Sequence, residues 1–283
     1  HVINGFGKSI GLVQVQELGT LETPILLTNT LSVGTVSTAL VEYMLERNDD
    51  IGLDAGTVNS LVMECNDARL SDIRGLHVTK EHARAALAAA SETFAEGDVG
   101  AGAGMVCYSL KGGIGSASRL CHLYGETYTV GALVMTNFGT LRDLRVAGDP
   151  VGERLYRQEQ SELKDKGSII IVLATDVPLS SRQLERVAKR AQSGIARTGG
   201  ISGNGSGEIA LAFTTGNKLA HYSSDRLESI RLVYEEDIDE VFRAAIESVD
   251  EAIISSMLHA SAVTGRAGNH YKSLADLYKP GEK

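Results

Sequence analysis

The most constraining stretch of this 283-residue chain is the apolar run Ile169-Ile170-Ile171-Val172-Leu173-Ala174. An unbroken β-branched run of that length reads as a strand buried on both faces, so a sheet must lie inside the fold at this point. Gly167-Ser168 stands directly before it, behind the charged segment Ser161-Glu162-Leu163-Lys164-Asp165-Lys166. A Ser at the first position of a buried strand, behind a Gly and a polar linker, suits an N-terminal nucleophile. Cutting Gly167–Ser168 would leave a hydroxyl and a free α-amine on one residue held by the sheet. The same junction also reads as a loop that ends where a core strand begins, and Gly-Ser junctions of that kind are common.

Composition sets the outer bounds. With 43% hydrophobic and 22% charged residues the balance is that of an ordinary globular protein. The length allows one large domain or two smaller ones, with a sizeable core either way. The 31 Gly against 4 Pro and no Trp point to tight turns and close backbone contacts. A net charge of −9 without a basic run argues against nucleic acid as a partner. No apolar stretch approaches the roughly 20 residues of a membrane span. Cys65, Cys107 and Cys121 have no paired metal spacing, which fits a reducing, cytoplasmic compartment. The His residues are scattered and give no zinc pattern, and no cofactor is implied. His1-Val2-Ile3-Asn4-Gly5 reads as the end of a strand entering a Gly turn. It has no initiator Met and no charged signal region, so the expectation is a natural protein with residues before His1.

Along the chain, Gly5-Phe6-Gly7-Lys8-Ser9 ends like a phosphate-binding loop, but Val2 stands where that pattern needs Gly. A strand is expected over 23–28, then a helix opening at Ser32 with Val33, Val36, Leu40 and Met44 on its apolar face. Residues 60–65 read as a strand that delivers Glu64, Asn66 and Asp67 to its end. Glu64 there is either a cation ligand or a solvated edge residue. Thr79 with Glu81-His82 opens an Ala-rich helix over 84–93. The segment 96–118 carries glycines at 97, 100, 102, 104, 112, 113 and 115, read as turns around a strand at 105–110. Residues 127–137 alternate into a long strand ended by Asn137. After the 168–174 strand, Ser180 or Ser181 caps a basic helix over 183–196. GGISGNGSG at 199–207 has the composition of a flexible linker, and it leads into a strand over 208–213. A further strand is expected at 229–234 and a long helix over 238–258, its start marked by Glu235-Glu236-Asp237. Several strands lie too close together for βαβ units throughout. The order therefore favours an α+β layered fold, with helices outside two sheets, over a doubly wound one.

Several segments together resemble one family: LETPILLTNT at 21–30, DIRGLHV at 72–78, KGGIG at 111–115, GSIII at 167–171, ATDVPL at 174–179, ARTG at 196–199 and GSG at 205–207. They are similar to the L-aminopeptidase/D-esterase family, which includes the β-peptidyl aminopeptidases, and the likeness runs in order over nearly the whole chain. The resemblance implies a four-layer αββα sandwich like that of N-terminal nucleophile hydrolases but with its own strand connectivity. It also implies a single domain, 1–283, that lacks the family's first few dozen residues and cuts itself into parts 1–167 and 168–283. Such proteins usually assemble as tetramers and release N-terminal residues, in some members β-amino acids, from peptides, amides or esters.

The resemblance also assigns roles. Ser168 is the nucleophile and Gly167–Ser168 the cleavage site. Ser206 and Glu208 match a Ser and an acid near it, and residues i and i+2 of an extended segment share a face, so both are expected to point at Ser168. Asn137 matches an oxyanion-stabilising Asn, and Glu64 an acid that holds the substrate's ammonium. Some members carry a Tyr oxyanion donor just after the Glu64 position; Cys65-Asn66 stands there in this chain, which leaves Asn66 or a backbone N–H from the Gly-rich segment as the second donor. Two other classes remain beside the serine aminopeptidase. One is an acyltransferase of the ornithine acetyltransferase type, which typically uses Thr where Ser168 stands, and the other a catalytically silent binding protein on the same fold.

Overall fold

The run at 169–174 forms the middle strand of a five-stranded sheet in a computed structural model of the chain, which describes residues 1–54, 56–159, 167–222 and 227–278. This strand, β8 (Ser168–Thr175), lies between β7 (Glu126–Asn137) and β9 (Gly207–Thr214), with β6 (Ile114–Leu123) and β1 (Val2–Gly5) outermost. It pairs antiparallel with β7 and parallel with β9. β6 and β7 form a hairpin through Tyr124-Gly125, both at positive φ, the turn geometry that matches strand twist.

Both faces of β8 are covered, which is why its sequence does not alternate. Ile169, Ile171 and Leu173 pack in a cluster with Val187, Ala191 and Ile195 of α5 (Ser181–Arg197) and Val249 and Ile253 of α6 (Asp239–Leu258). Ile170 packs with Met135, Ile209 and Leu211 against Leu61, Met63 and Cys65 of β3 (Leu61–Cys65). β3 pairs parallel with β2 (Ile25–Asn29). Beyond this small sheet, Leu26 and Val62 meet α2 (Val33–Leu45) and Ala83 of α3 (Lys80–Ala89). The layers are thus helices, five-stranded sheet, two-stranded sheet and helices, the αββα order expected. Among the described residues no helix is long and apolar enough to cross a membrane.

The capping signals hold at α5 and α3, whereas Ser32 precedes α2 without a side-chain cap bond. Ser180 and Gln183 exchange side-chain and backbone hydrogen bonds at the start of α5, a capping box. Thr79 and His82 do the same for α3, which starts and ends about a turn earlier than the sequence suggests. Other expectations are corrected. Residues 105–110 are not one strand but part of a hairpin, β4 (Val106–Cys107) and β5 (Leu110–Lys111), turned by Tyr108 and Ser109 at positive φ. Residues 229–234 form no strand; Val233 N–H donates to the Pro178 carbonyl and Arg231 N–H to the Asn217 side chain. β6 and α4 (Val151–Glu159) were not expected. The tail adds β10 (Val263–Thr264), β11 (His270–Tyr271) and α7 (Leu274–Leu277), and α1 (Leu12–Leu18) follows β1. The charged segment expected before Gly167 lies outside the described residues.

Gly115 of β6 sits directly under α6: a Cβ there would come within 2.1 Å of the Ala252 carbonyl oxygen. Gly115→Val should therefore push α6 off the sheet and cost about 2–3 kcal/mol of stability. Urea unfolding checks this as a lower midpoint at unchanged slope.

Candidate active site

Three strands end or begin at one level of the large sheet. Ser168, the first residue of β8, is paired with Asn137, the last of β7, and with Gly207, the first of β9. Directly paired residues share a face, so Asn137 and Ser168 both point toward the β2–β3 layer. Both side chains are buried. Asn137 Oδ1 accepts from Val106 N–H at 2.9 Å, and its Nδ2 donates to the Asn66 carbonyl at 2.9 Å. Those two bonds fix the amide and use only one of its two N–H groups.

The residue before Ser168 is equally constrained. A Cβ on Gly167 would lie 1.6 Å from the Asn137 carbonyl oxygen, so only glycine fits. The Gly167 carbonyl accepts from Gly207 N–H at 3.1 Å.

Glu208 and Ser206 sit at the head of β9 and are wholly buried. The register places Gly207 opposite Ser168 and Glu208 opposite Ile169. Glu208 therefore takes the face of Ile169, toward α5, and not the face of the Ser168 side chain as the i, i+2 argument expects. The Ser202 hydroxyl donates to Glu208 Oε2 from a backbone held at φ 53°, a left-handed conformation rare for Ser. Ser206 N–H closes the Asn204-Gly205 turn onto the Gly203 carbonyl, and Asn4 Nδ2 from β1 ties the Gly203 and Ser206 carbonyls at 2.8 and 2.6 Å. Ser206 Oγ has no hydrogen-bond partner among the described residues. The stretch 199–207 is thus a pinned loop rather than a flexible linker.

Glu64, near the end of β3, is buried. Its Oε1 accepts from Lys8 N–H at 2.7 Å and its Oε2 from the Thr30 hydroxyl. Gly7 lies between this carboxylate and β9: a Cβ there would be 3.7 Å from Glu64 Oε1 and 2.9 Å from Ile209 Cδ1. The segment that ends like a phosphate loop thus gives its backbone N–H to a carboxylate. Asn66 has an exposed side chain whose Oδ1 accepts from Ala68 N–H at 3.0 Å. Asp67 beside it is buried and accepts from Asn29 Nδ2. Burial pushes its carboxyl pKa up, with hydrogen bonds from Ser71 and Asn29 acting the other way. Among the described residues no group of three or more His, Cys, Asp or Glu is placed to hold a metal ion. Sequence reasoning missed Asn4, Val106 and Ser202, whose contacts here give no local pattern.

Chemically, the head of the sheet offers a hydroxyl, a fixed amide donor and buried carboxylates near the Gly167–Ser168 junction. A family model described as peptidase family S58 matches residues 1–271. The β-peptidyl aminopeptidase BapA of Sphingosinicella microcystinivorans is 39% identical over 280 residues, 94% of this chain and 70% of that protein. The crystal structure of a Pyrococcus horikoshii protein superposes with a TM-score of 0.92 at 51% identity, over 97% of this chain and 76% of that one. The L-aminopeptidase D-Ala-esterase/amidase of Ochrobactrum anthropi gives a TM-score of 0.89 at 37% identity, over 97% and 76% of the two chains. That enzyme is described as a prototype for the serine aminopeptidases and a new variant of the N-terminal nucleophile hydrolase fold.

The raised Asp67 pKa gives a signed expectation. Its contribution to stability is fully present below the unfolded value and lost as pH rises through the higher folded one. Asp67→Asn should therefore be more stable than the parent at pH about 7, with the advantage vanishing below pH about 4. Thermal unfolding at the two pH values checks it.

Proposed function

The chain belongs to peptidase family S58 and is a serine aminopeptidase, and from that premise we propose that Ser168 is its nucleophile, set free by self-cleavage at Gly167–Ser168. One observation carries this reading: Ser168 opens the central strand between Asn137 and Gly207, with the preceding carbonyl already held by the Gly207 N–H.

In self-cleavage, Ser168 Oγ attacks the Gly167 carbonyl carbon and the Gly207 N–H stabilises the oxygen. The C–N bond breaks, the nitrogen takes up the hydroxyl proton, and an ester links Gly167 to Ser168. Water then hydrolyses the ester, leaving a Gly167 carboxylate and a Ser168 with a free α-amine. On a peptide or aminoacyl amide, Oγ attacks the substrate carbonyl and forms an acyl-enzyme. The leaving amine takes a proton, and water releases the N-terminal residue. An α-amine has an ordinary pKa of about 7.7–8, suited to accept the Ser168 proton near neutral pH.

Asn137 supplies the oxyanion donor, from the face it shares with Ser168. Glu208 acts from the other face. Neighbouring strands lie about 4.8 Å apart, so its place beside Ile169 suits the main-chain nitrogen of Ser168 better than its hydroxyl. Ser206, whose hydroxyl has no partner among the described residues, relays between them. Glu64 takes the substrate's ammonium, which explains a requirement for a free N-terminus, and Asn66, whose carbonyl holds the Asn137 amide, contacts the substrate beside it. The relatives' names support N-terminal α- or β-amino acids as the acyl part, and the assembly proposed is a tetramer. Ser at 168 and membership of a peptidase family favour hydrolysis over acyl transfer.

Intact-mass spectrometry tests the central assignment. The parent protein should yield two fragments meeting at Gly167–Ser168, and Ser168→Ala one uncut chain without activity on aminoacyl anilides. A cut Ser168→Ala chain would sink the assignment. Asn137→Ala should lower kcat roughly 10²- to 10³-fold, measured on the same anilides.

A further inference from the structure

Lys111 is wholly buried, yet among the described residues it forms no ion pair with a carboxylate. Its Nζ instead donates to three backbone carbonyls, of Gly102 at 2.9 Å, Met105 at 3.0 Å and Gly112 at 2.6 Å. An ammonium is costly to bury, and an apolar side chain of similar volume would pack at less expense. Here burial pulls its pKa down to about 8, with Asp98 and Cys107 the charged or titratable groups that act to raise it. A group kept against that cost marks a geometry that needs all three of its donors.

That geometry is the hairpin β4–β5. Gly112 N–H closes it onto the Met105 carbonyl at 3.0 Å, the same oxygen that Lys111 holds. The hairpin is seated on the end of β7: Tyr108 N–H donates to the Phe138 carbonyl at 2.6 Å, and a Cβ on Gly112 would lie 2.5 Å from the Thr136 oxygen. Directly after Met105 comes Val106, whose N–H holds Asn137 Oδ1. Lys111 thus connects to the amide that faces Ser168 through a single peptide unit, whose Met105 carbonyl it holds and whose Val106 N–H holds Asn137.

We propose that Lys111 is a positioning residue for the reaction: by clamping the Gly102, Met105 and Gly112 carbonyls it fixes the Val106 N–H, which in turn aims the Asn137 amide at the oxyanion. The proposal rests on the reading of Asn137 given above. It assigns no contact between Lys111 and the substrate, so the loss of the clamp acts on the chemical step and not on substrate binding.

The test is a double-mutant cycle on the self-processed enzyme, with Lys111→Met, Asn137→Ala and the double variant. Rates are expressed per chain that begins at Ser168, counted by intact mass, and melting curves verify folding. Lys111→Met should lower kcat by about 10²-fold with KM unchanged, the scale of a small misplacement of a catalytic group. The double variant should be no slower than Asn137→Ala alone. Unchanged kcat in Lys111→Met, or losses that multiply in the double variant, would overturn the assignment while leaving Asn137 as the donor. Full kcat in Asn137→Ala would instead remove the Asn137 reading, and Lys111 with it. Should Lys111→Met not fold or process, Lys111→Gln, which keeps an amide donor, runs the same cycle with the same criteria.

Discussion

The register of β8 between β7 and β9 is the constraint on which the rest of this structure depends. It brings Asn137, Ser168 and Gly207 to one level and puts the first two on one face. A one-residue slip would turn every side chain of β8 over, sending Ser168 to the α5 face and Ile169 to the β3 face. The slip is opposed by two apolar clusters that want opposite sides of the same strand, Ile169 and Ile171 on one and Ile170 on the other. It is opposed again at the strand's entry, where the contact between Gly167 and the Asn137 carbonyl admits no side chain. The core that stabilises the sheet is therefore also what aims the hydroxyl.

Around that point the protein concentrates polar groups where burial makes them expensive. Glu64, Asn137, Ser168, Ser206 and Glu208 are all buried; Glu64 and Asn137 are held by partners from distant parts of the chain, and Glu208 by the nearby Ser202. Low dielectric strengthens each of those hydrogen bonds and penalises each group that loses its partner. The left-handed backbone at Ser202, which donates to Glu208, belongs to the same pattern of local strain accepted at a site and offset by packing elsewhere. The two faces of the sheet then divide the work. The hydroxyl and the amide donor lie toward β3, and the acid beside Ile169 lies toward α5, with the Ser168 main chain common to both.

Much of the fold was legible because local signals agreed with the final packing. The unbroken run at 169–174 announced a doubly covered strand, the alternation at 127–137 announced β7, and Ser180 marked the start of α5. β6 escaped because its one glycine, Gly115, serves a helix about 140 residues later in the chain, under Ala252, while Ser116 and Ser118 on one face and Arg119 on the other break its apolar alternation. The β4–β5 hairpin escaped because Tyr108 and Ser109, not Gly or Asn, carry its positive φ. Residues 229–234 read like a strand, but their N–H groups at 231 and 233 go to the Asn217 side chain and the Pro178 carbonyl instead of to a ladder. Within the site, Ser168 stood out by its position, whereas Asn137, Ser206, Glu208 and Glu64 gained roles through family likeness. The side of the sheet that Glu208 occupies depends on register, which no single strand's sequence contains.

The most direct test of the proposed nucleophile, Ser168, is to trap the acyl-enzyme. The processed protein would be mixed with an activated aminoacyl ester, quenched in acid within the first turnovers, and mapped by peptide mass spectrometry. The expected result is one acyl adduct per chain, on Ser168 Oγ at the new N-terminus. An adduct on Ser206 or Ser202, with Ser168 unmodified during turnover, would contradict it.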